Sequence, residues 1–330
     1  MKAIIYTEYG DPDVLHLSEV PKPTPKDNEI LVRVHATEVG FGDLMARKFN
    51  TITPRSFNMP SLFWLLARLE FGLSKPKKPI LGSEFAGEVE AVGSAVTRFK
   101  PGDQVFGYPT SSFGAYAEYL CMAETASVML KPANMTYEEA TTVPYGALTA
   151  LNLLKKVDIQ PGQKVLINGA SGSIGSAALQ LAKSYGAHVT AVCGTPRLEY
   201  VKALGAGRVI DYTQEDFTRN GETYDVIFDI LGKTSFARCK RSLKPNGRLL
   251  YASFKLRQLF QMLWTSIRGG KRVICALALS KQADLARIRE LVEAGKIKAI
   301  LDRCYPLEQA AEAHRYAESG QKRGNIVITA

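Results

Sequence analysis

No run of apolar residues in this 330-residue chain reaches the ~18 that a membrane-spanning helix needs. The stretch Met1-Lys2-Ala3-Ile4-Ile5-Tyr6-Thr7-Glu8 lacks the apolar core and cleavage site of a secretory signal and reads as a short strand. Both absences predict a cytoplasmic location. Cysteine is scarce and unpaired in spacing: Cys121, Cys193, Cys239, Cys275 and Cys304 are isolated, odd in number and never C-x-x-C, which argues against a disulfide framework or a zinc knuckle. The four histidines, His16, His35, His188 and His314, stand singly among apolar or helical neighbours, a pattern of core or surface residues rather than metal ligands. Net charge is +10, yet the basic residues read as dispersed among acids, and the densest cluster, Lys75-Pro76-Lys77-Lys78, reads as a solvated loop. A nucleic-acid partner is therefore not expected. A basic balance suits a small phosphate-rich ligand instead.

What is present is a large core and a change of pattern along the chain. At 46% hydrophobic and 22% charged, the sequence predicts two domains. Residues 1–125 are rich in strand patterning, with Ile30-Leu31-Val32-Arg33-Val34 and Gly87-Glu88-Val89-Glu90-Ala91-Val92 as strands and Lys100-Pro101-Gly102-Asp103 as a turn before Gln104-Val105-Phe106. Residues 126–276 alternate strands with helices. After a first strand at Val165-Leu166-Ile167-Asn168, further strands are expected at 188–192, 208–210, 225–228, 247–252 and 272–276. Six strands with helical crossovers make an α/β fold, a doubly wound parallel sheet of Rossmann type. Residues 277–330, with helices near 281–294 and 307–318 and a strand at 324–328, are expected to return to the first domain.

The most informative stretch is Gly169-Ala170-Ser171-Gly172-Ser173-Ile174-Gly175, between that first strand and a helix whose apolar residues recur at Ile174, Ala177, Ala178, Leu181 and Ala182. Such a turn aims backbone N–H groups at a pyrophosphate, with the positive end of the helix dipole behind them. Gly172 lets a ligand approach and Gly175 lets the helix lie close to the strand, while Ala170 replaces the first glycine of the usual fingerprint. In NAD-binding units the second strand ends in an acid for the ribose hydroxyls. Here His188-Val189-Thr190-Ala191-Val192 ends in Cys193-Gly194-Thr195-Pro196-Arg197, without one. Thr195 and Arg197 suit a 2′-phosphate, so NADP(H) is the expected cofactor.

Two aromatic segments fall outside the pattern, 60–71 and 256–264. Both read as walls or lids over a hydrophobic substrate, with core or dimer contact and membrane-surface docking as alternatives.

Gly82-Ser83-Glu84-Phe85-Ala86-Gly87-Glu88-Val89, Val92-Gly93, the run Phe99 to Gly107, Pro144-Tyr145-Gly146-Ala147-Leu148-Thr149-Ala150 and the phosphate turn through Gln180 and Lys183 share one resemblance. Over essentially its whole length the chain resembles the zinc-independent medium-chain dehydrogenase/reductases of the quinone oxidoreductase (zeta-crystallin-like) type. The resemblance implies that the β-rich part is a GroES-like catalytic domain and that the protein is a homodimer. It also implies that Phe41, Thr149, Tyr212, Leu231, Ser253 and Phe254 line the ribose and nicotinamide, with Ser171 to Ile174 and Gly194 at the phosphates. Asn325 stands where many relatives have lysine, and Ser173 where the signature has glycine. Zinc-dependent members place a cysteine at the position of Gly40, a histidine at that of Ser83 and a cysteine shortly before Pro144, none of which occurs here. No metal is expected. The resemblance therefore implies hydride transfer to a small, hydrophobic conjugated acceptor, a quinone or an α,β-unsaturated carbonyl, whose charge spreads to a distant oxygen. Tyr145 and Tyr108 are candidate donors to that oxygen. Asp43 matches an aspartate at the substrate mouth of relatives, and equally reads as a helix cap. An enoyl-thioester or alkenal reductase, or a non-catalytic NADPH-binding protein docked on a membrane, are the competing readings.

Overall fold

The computed structural model describes residues 1–109, 112–279 and 281–330. They form two compact units, one of residues 1–53, 65–145 and 281–330, the other of 54–64 and 146–279.

In the first unit β1 (Lys2–Ile5) pairs antiparallel with β2 (His16–Glu19), and a larger sheet contains β3 (Glu29–Glu38), β4 (Phe85–Val92), β5 (Gln104–Gly107), β6 (Tyr119–Ala123) and β7 (Val128–Leu130). β3 is the hinge of this sheet because its β-branched residues Ile30, Val32 and Val34 alternate toward a core with Phe85, Val89, Val105, Leu120, Met122 and Val128. Asp103 accepts a bond from the Lys100 amide at 2.9 Å and Gly102 takes φ 89, so Lys100-Pro101-Gly102-Asp103 is a turn. Four helices follow β3 in this half of the chain: α1 (Phe41–Arg47), α2 (Ser61–Phe71), α3 (Tyr137–Thr141) and α4 (Pro144–Leu154).

The second unit runs β8 (Lys164–Asn168), α5 (Ser173–Ser184), β9 (His188–Cys193), α6 (Leu198–Ala203), β10 (Arg208–Asp211), β11 (Tyr224–Asp229), α7 (Phe236–Cys239), β12 (Leu243–Tyr251), α8 (Leu256–Arg268) and β13 (Arg272–Cys275). All six strands are parallel, in the order β10-β9-β8-β11-β12-β13. The order reverses between β8 and β11, and ligands of such sheets bind at the carboxyl ends of the strands there. The chain then returns to the first unit with α9 (Gln282–Glu293), β14 (Leu301–Pro306), α10 (Ala310–Glu318) and β15 (Asn325–Thr329), where β15 pairs with both β14 and β3.

The division differs from the expected 125/126 boundary for a physical reason. β7 completes the sheet by pairing with β5, so the first unit extends to Tyr145. Residues 54–64 join the second unit, where Met59 packs with Leu259 and Met262 against its core. The five cysteines are free thiols, and His314 is a core residue whose Nε2 lies 3.0 Å from the Tyr116 hydroxyl. Among the described residues no helix is long and apolar enough to cross a membrane.

Candidate functional site

In the second unit, β8 delivers the chain to Gly169, whose φ of 93 turns it sharply, and Gly172 then serves as the N-cap of α5. No side chain caps this helix, so its first-turn N–H groups face outward as donors. A Cβ on Gly175 would lie 2.1 Å from the Gly169 carbonyl oxygen and 2.7 Å from Ala170 Cα, so only glycine lets α5 lie this close to β8. At Gly172 the nearest such atom is 3.8 Å away, which leaves the approach open. The Ser173 hydroxyl, the first helical residue, is buried with no hydrogen-bond partner. An unsatisfied donor beside uncapped N–H groups fits a pyrophosphate. Ser171 and Ile174 flank it, both partly buried.

At the end of β9, the parallel register brings Asp211 of β10 opposite Cys193. The Thr195 hydroxyl donates to the Asp211 carboxylate at 2.5 Å, and the Thr213 amide and hydroxyl donate to its other oxygen at 2.9 and 2.8 Å. These bonds hold the Asp211 carboxyl below the ordinary carboxylate range, so it is an anion. The expectation that no acid stands at this edge is corrected: the acid comes from the neighbouring strand, and it takes the Thr195 hydroxyl that was assigned to phosphate. A Cβ on Gly194 would meet the Tyr212 ring at 3.3–3.5 Å, so Tyr212, exposed as it is, stands over Gly194 as a wall. Arg197 closes the 3₁₀ turn after Thr195.

At the reversal of the sheet, the Asn168 amide donates to Asp229 at 3.0 Å, and the other Asp229 oxygen accepts from the Thr234 amide and hydroxyl at 2.8 and 3.0 Å. This fully bonded, buried carboxylate ties β8 to β11. Sequence reasoning missed it, and its one signal is an acid ending the apolar run Val226-Ile227-Phe228. Leu231 approaches Gly169, and Ser253 approaches Gly232, so Leu231 and Ser253 gather at this rim. Phe254 does not join them: its side chain is buried in the core with Tyr251 and Val273. Thr149 is half-buried on α4.

In the first unit, Asp43 is the third residue of α1 and wholly buried. Its carboxylate accepts from the Gly40 amide at 3.1 Å, the Gly82 amide at 2.8 Å and the Ser83 hydroxyl at 3.0 Å. It is a brace between α1 and the segment leading into β4, with the Gly40 amide bond of the helix-cap reading. Burial pushes its pKa up to about 6 against those bonds. Beside it lie two acids the sequence reading did not single out, Glu38 at the end of β3 and Glu84 just before β4. Both are buried and each has an oxygen without a partner, while Glu84 also accepts from the Tyr145 amide at 2.7 Å. Burial raises both carboxyls, and the neighbouring charge of Glu38 raises Glu84 further. Tyr145 and Tyr108 face each other with ring centroids 5.7 Å apart. Burial raises the Tyr145 phenol to about 12 and Tyr108 further, so both hydroxyls remain protonated donors. Phe41 opens α1 with its ring exposed, and the Asn325 amide donates to the Thr142 carbonyl at 3.0 Å.

The position that a zinc-dependent dehydrogenase would use is filled by Gly40 and Ser83, whose hydroxyl is committed to Asp43. Among the described residues no group of three or more His, Cys, Asp or Glu could hold a metal. The residues present do not fit a zinc site.

A doubly wound nucleotide-binding unit together with a unit built on a β3-centred sheet defines the class as a two-domain dehydrogenase. The chain matches the alcohol dehydrogenase GroES-like domain over residues 26–133 and the zinc-binding dehydrogenase family over 204–328. It is similar to the mitochondrial NAD(P)H oxidoreductase RTN4IP1 of Mus musculus, 30% identical over 99% of this chain and 89% of that protein. It is equally similar to a 2-methylene-furan-3-one reductase of Solanum lycopersicum, 30% identical over 99% of this chain and 79% of that one. The solved quinone oxidoreductase from Coxiella burnetii superposes with a TM-score of 0.82 at 28% identity, covering 100% of this chain and 99% of that one. The chain belongs to the quinone oxidoreductase-like family of the medium-chain dehydrogenase/reductases. It is an oxidoreductase that uses a nicotinamide cofactor.

Proposed function

We propose that this protein is an NADPH-dependent reductase of quinones or α,β-unsaturated carbonyl compounds that works without zinc. The observation that carries the reading is the uncapped α5 N-terminus beside Gly172 and the unpartnered Ser173 hydroxyl, set against a catalytic unit whose Gly40 and Ser83 cannot ligate a metal. The reductase of Solanum lycopersicum and the oxidoreductase from Coxiella burnetii support the acceptor class by their names.

The bound cofactor supplies a hydride to the acceptor's conjugated system. The chain's own residues do the rest. Ser171 to Ile174 hold the pyrophosphate through N–H donors. Gly194 and Tyr212 wall the adenosine, and Arg197 takes the 2′-phosphate as a charge-assisted fork. Leu231, Ser253 and Thr149, with Phe41 and Asn325 by family position, orient the ribose and nicotinamide. The Tyr145 and Tyr108 hydroxyls, kept protonated by burial, donate to the oxygen on which negative charge develops. Removing such a donor costs roughly 2.7–4 kcal/mol in the barrier. The reading also carries a cytoplasmic homodimer.

The test is turnover: NADPH with panels of quinones, alkenals and enoyl thioesters, followed by loss of nicotinamide absorbance. Oxidation by quinones or enones is expected. Tight NADPH binding with no acceptor consumed overturns the enzymatic reading.

Cofactor choice has its own test, because Asp211 opposes Arg197 at the same rim. A charged hydrogen bond is worth about 1.5–3 kcal/mol, so Arg197→Ala should weaken NADPH binding about tenfold to a hundredfold and leave NADH unchanged. Asp211→Asn, by removing a repelling anion, should tighten NADPH relative to NADH. Equal dissociation constants for the two coenzymes in all three proteins would remove the NADP assignment.

A further inference from the structure

From Ile230 to Ala283 the sequence contains no aspartate or glutamate and twelve lysines and arginines. This segment alone outweighs the chain's net charge of +10, so the basic residues are not evenly interleaved with acids as they first read. In its middle lies α8, which is held by one face: Leu259 and Met262 pack on the core, and the Thr265 hydroxyl accepts the Val273 amide at 3.0 Å. The opposite face is apolar and open. Leu256, Phe260, Leu263, Trp264 and Ile267 recur at helical spacing and are 58%, 69%, 58%, 46% and 86% exposed. An outward stripe of this kind does nothing for the core that α8 already closes.

Cations rim the stripe. Lys255, Arg257 and Arg268 lie on or beside the helix, Lys271 and Arg272 follow it, and none of these has an ion pair among the described residues. The Arg268 guanidinium lies over the Trp264 ring, 4.5 Å from its centroid. Arg257, Phe260, Gln261 and Trp264 line an open groove of about 550 Å³. A helix with a marked apolar face, indole and phenyl rings on it, and basic residues beside it is built to lie in a bilayer interface. A second copy of this chain is the poorer occupant. Symmetric pairing through α8 would set these cations against their own copies with no acid in the segment to neutralise them. A nucleic acid would leave the leucine and isoleucine side chains without an apolar partner.

We propose that the outward face of α8 docks the protein peripherally onto an anionic lipid bilayer, with the apolar stripe inserted at the headgroup level and the basic rim on the lipid phosphates and carboxylates. This rests on α8 and its charge field alone and is independent of the acceptor chemistry.

The test is co-sedimentation of the full chain with phosphatidylcholine vesicles, with and without phosphatidylserine. Trp264 fluorescence is followed in a Trp64→Phe background, where it is the sole indole of the chain's two. Binding to the anionic vesicles and a blue shift of Trp264 are expected. Binding should fall about tenfold or more as added salt shrinks the Debye length from ~10 to ~3 Å. The triple variant Phe260→Ser, Trp264→Ser, Ile267→Ser should lose vesicle binding, and Arg257→Glu with Arg268→Glu should lose it for anionic vesicles, both keeping the wild-type melting temperature and NADPH binding. No binding to either vesicle overturns the proposal. So does a particle mass that falls from dimer to monomer in the triple variant without any vesicle binding, or binding to duplex DNA in place of vesicles.

Discussion

Gly172→Ala should weaken NADPH binding about a hundredfold, close to 2.7 kcal/mol, while leaving the melting temperature unchanged. At this N-cap the backbone already has φ −84 and ψ 170, which alanine adopts freely, and an added methyl meets nothing of the protein closer than 3.8 Å. The methyl instead occupies the space through which a pyrophosphate reaches the α5 N–H groups. Gly175→Ala should behave differently. Its methyl would overlap the backbone of Gly169 and Ala170, so α5 must lift from β8, costing about 1–3 kcal/mol of stability or more together with the cofactor site. Coenzyme titration and thermal melts on both variants separate ligand exclusion from helix displacement. Unimpaired binding by Gly172→Ala, or an unshifted melting temperature for Gly175→Ala, would contradict the geometry of the turn.

The second large effect concerns pH and the Glu38–Glu84 pair. An acid whose native pKa lies above its unfolded value binds more protons folded than unfolded, so its contribution is fully present below the unfolded value and lost as pH rises through the native one. Glu38, Glu84 and Asp43 are all raised by burial. The first unit should therefore lose stability from the ordinary carboxylate range up through neutrality, the reverse of the usual salt-bridged carboxylate. Each unit of raised pKa corresponds to about 1.36 kcal/mol, and a kilocalorie to roughly 2–4 °C in a unit of this size, so with three raised acids a drop on the order of 10 °C or more is expected. The double variant Glu38→Gln, Glu84→Gln should flatten that slope and melt higher than the parent in mildly alkaline buffer. A parent that becomes more stable over the same interval, or a variant with an identical slope, would show that the pair does not hold its proton.

Much of this was readable before any coordinates. The strand at Lys164–Asn168, the glycine turn and α5 announce themselves because strand, turn and helix each leave a local mark, and each expected strand overlaps one of the six parallel strands, with 252 and 276 one residue past the ends of β12 and β13. Asp211 escaped because its place beside Thr195 is set by the register of β10 on β9, sixteen residues along the chain. Glu38 and Glu84 escaped for the same reason across a longer gap, since only the pairing of β3 with β4 brings those two ends together. The amphipathic period of α8 was legible, but not which face the core would take: Leu259, Met262 and Thr265 won that choice through their fit to β13, leaving the more aromatic face outside.

The pairing of β15 with β3 joins residues almost three hundred positions apart. During synthesis the whole nucleotide-binding unit leaves the ribosome before β15 exists, so it can close on its own while the end of β3, Ala36 to Glu38, still lacks its partner strand. A chain stopped short of Asn325 would carry a finished coenzyme fold attached to a sheet with an open, sticky margin. Quality control would meet this protein as half-native, and premature termination near its end would yield aggregates rather than a merely weakened enzyme.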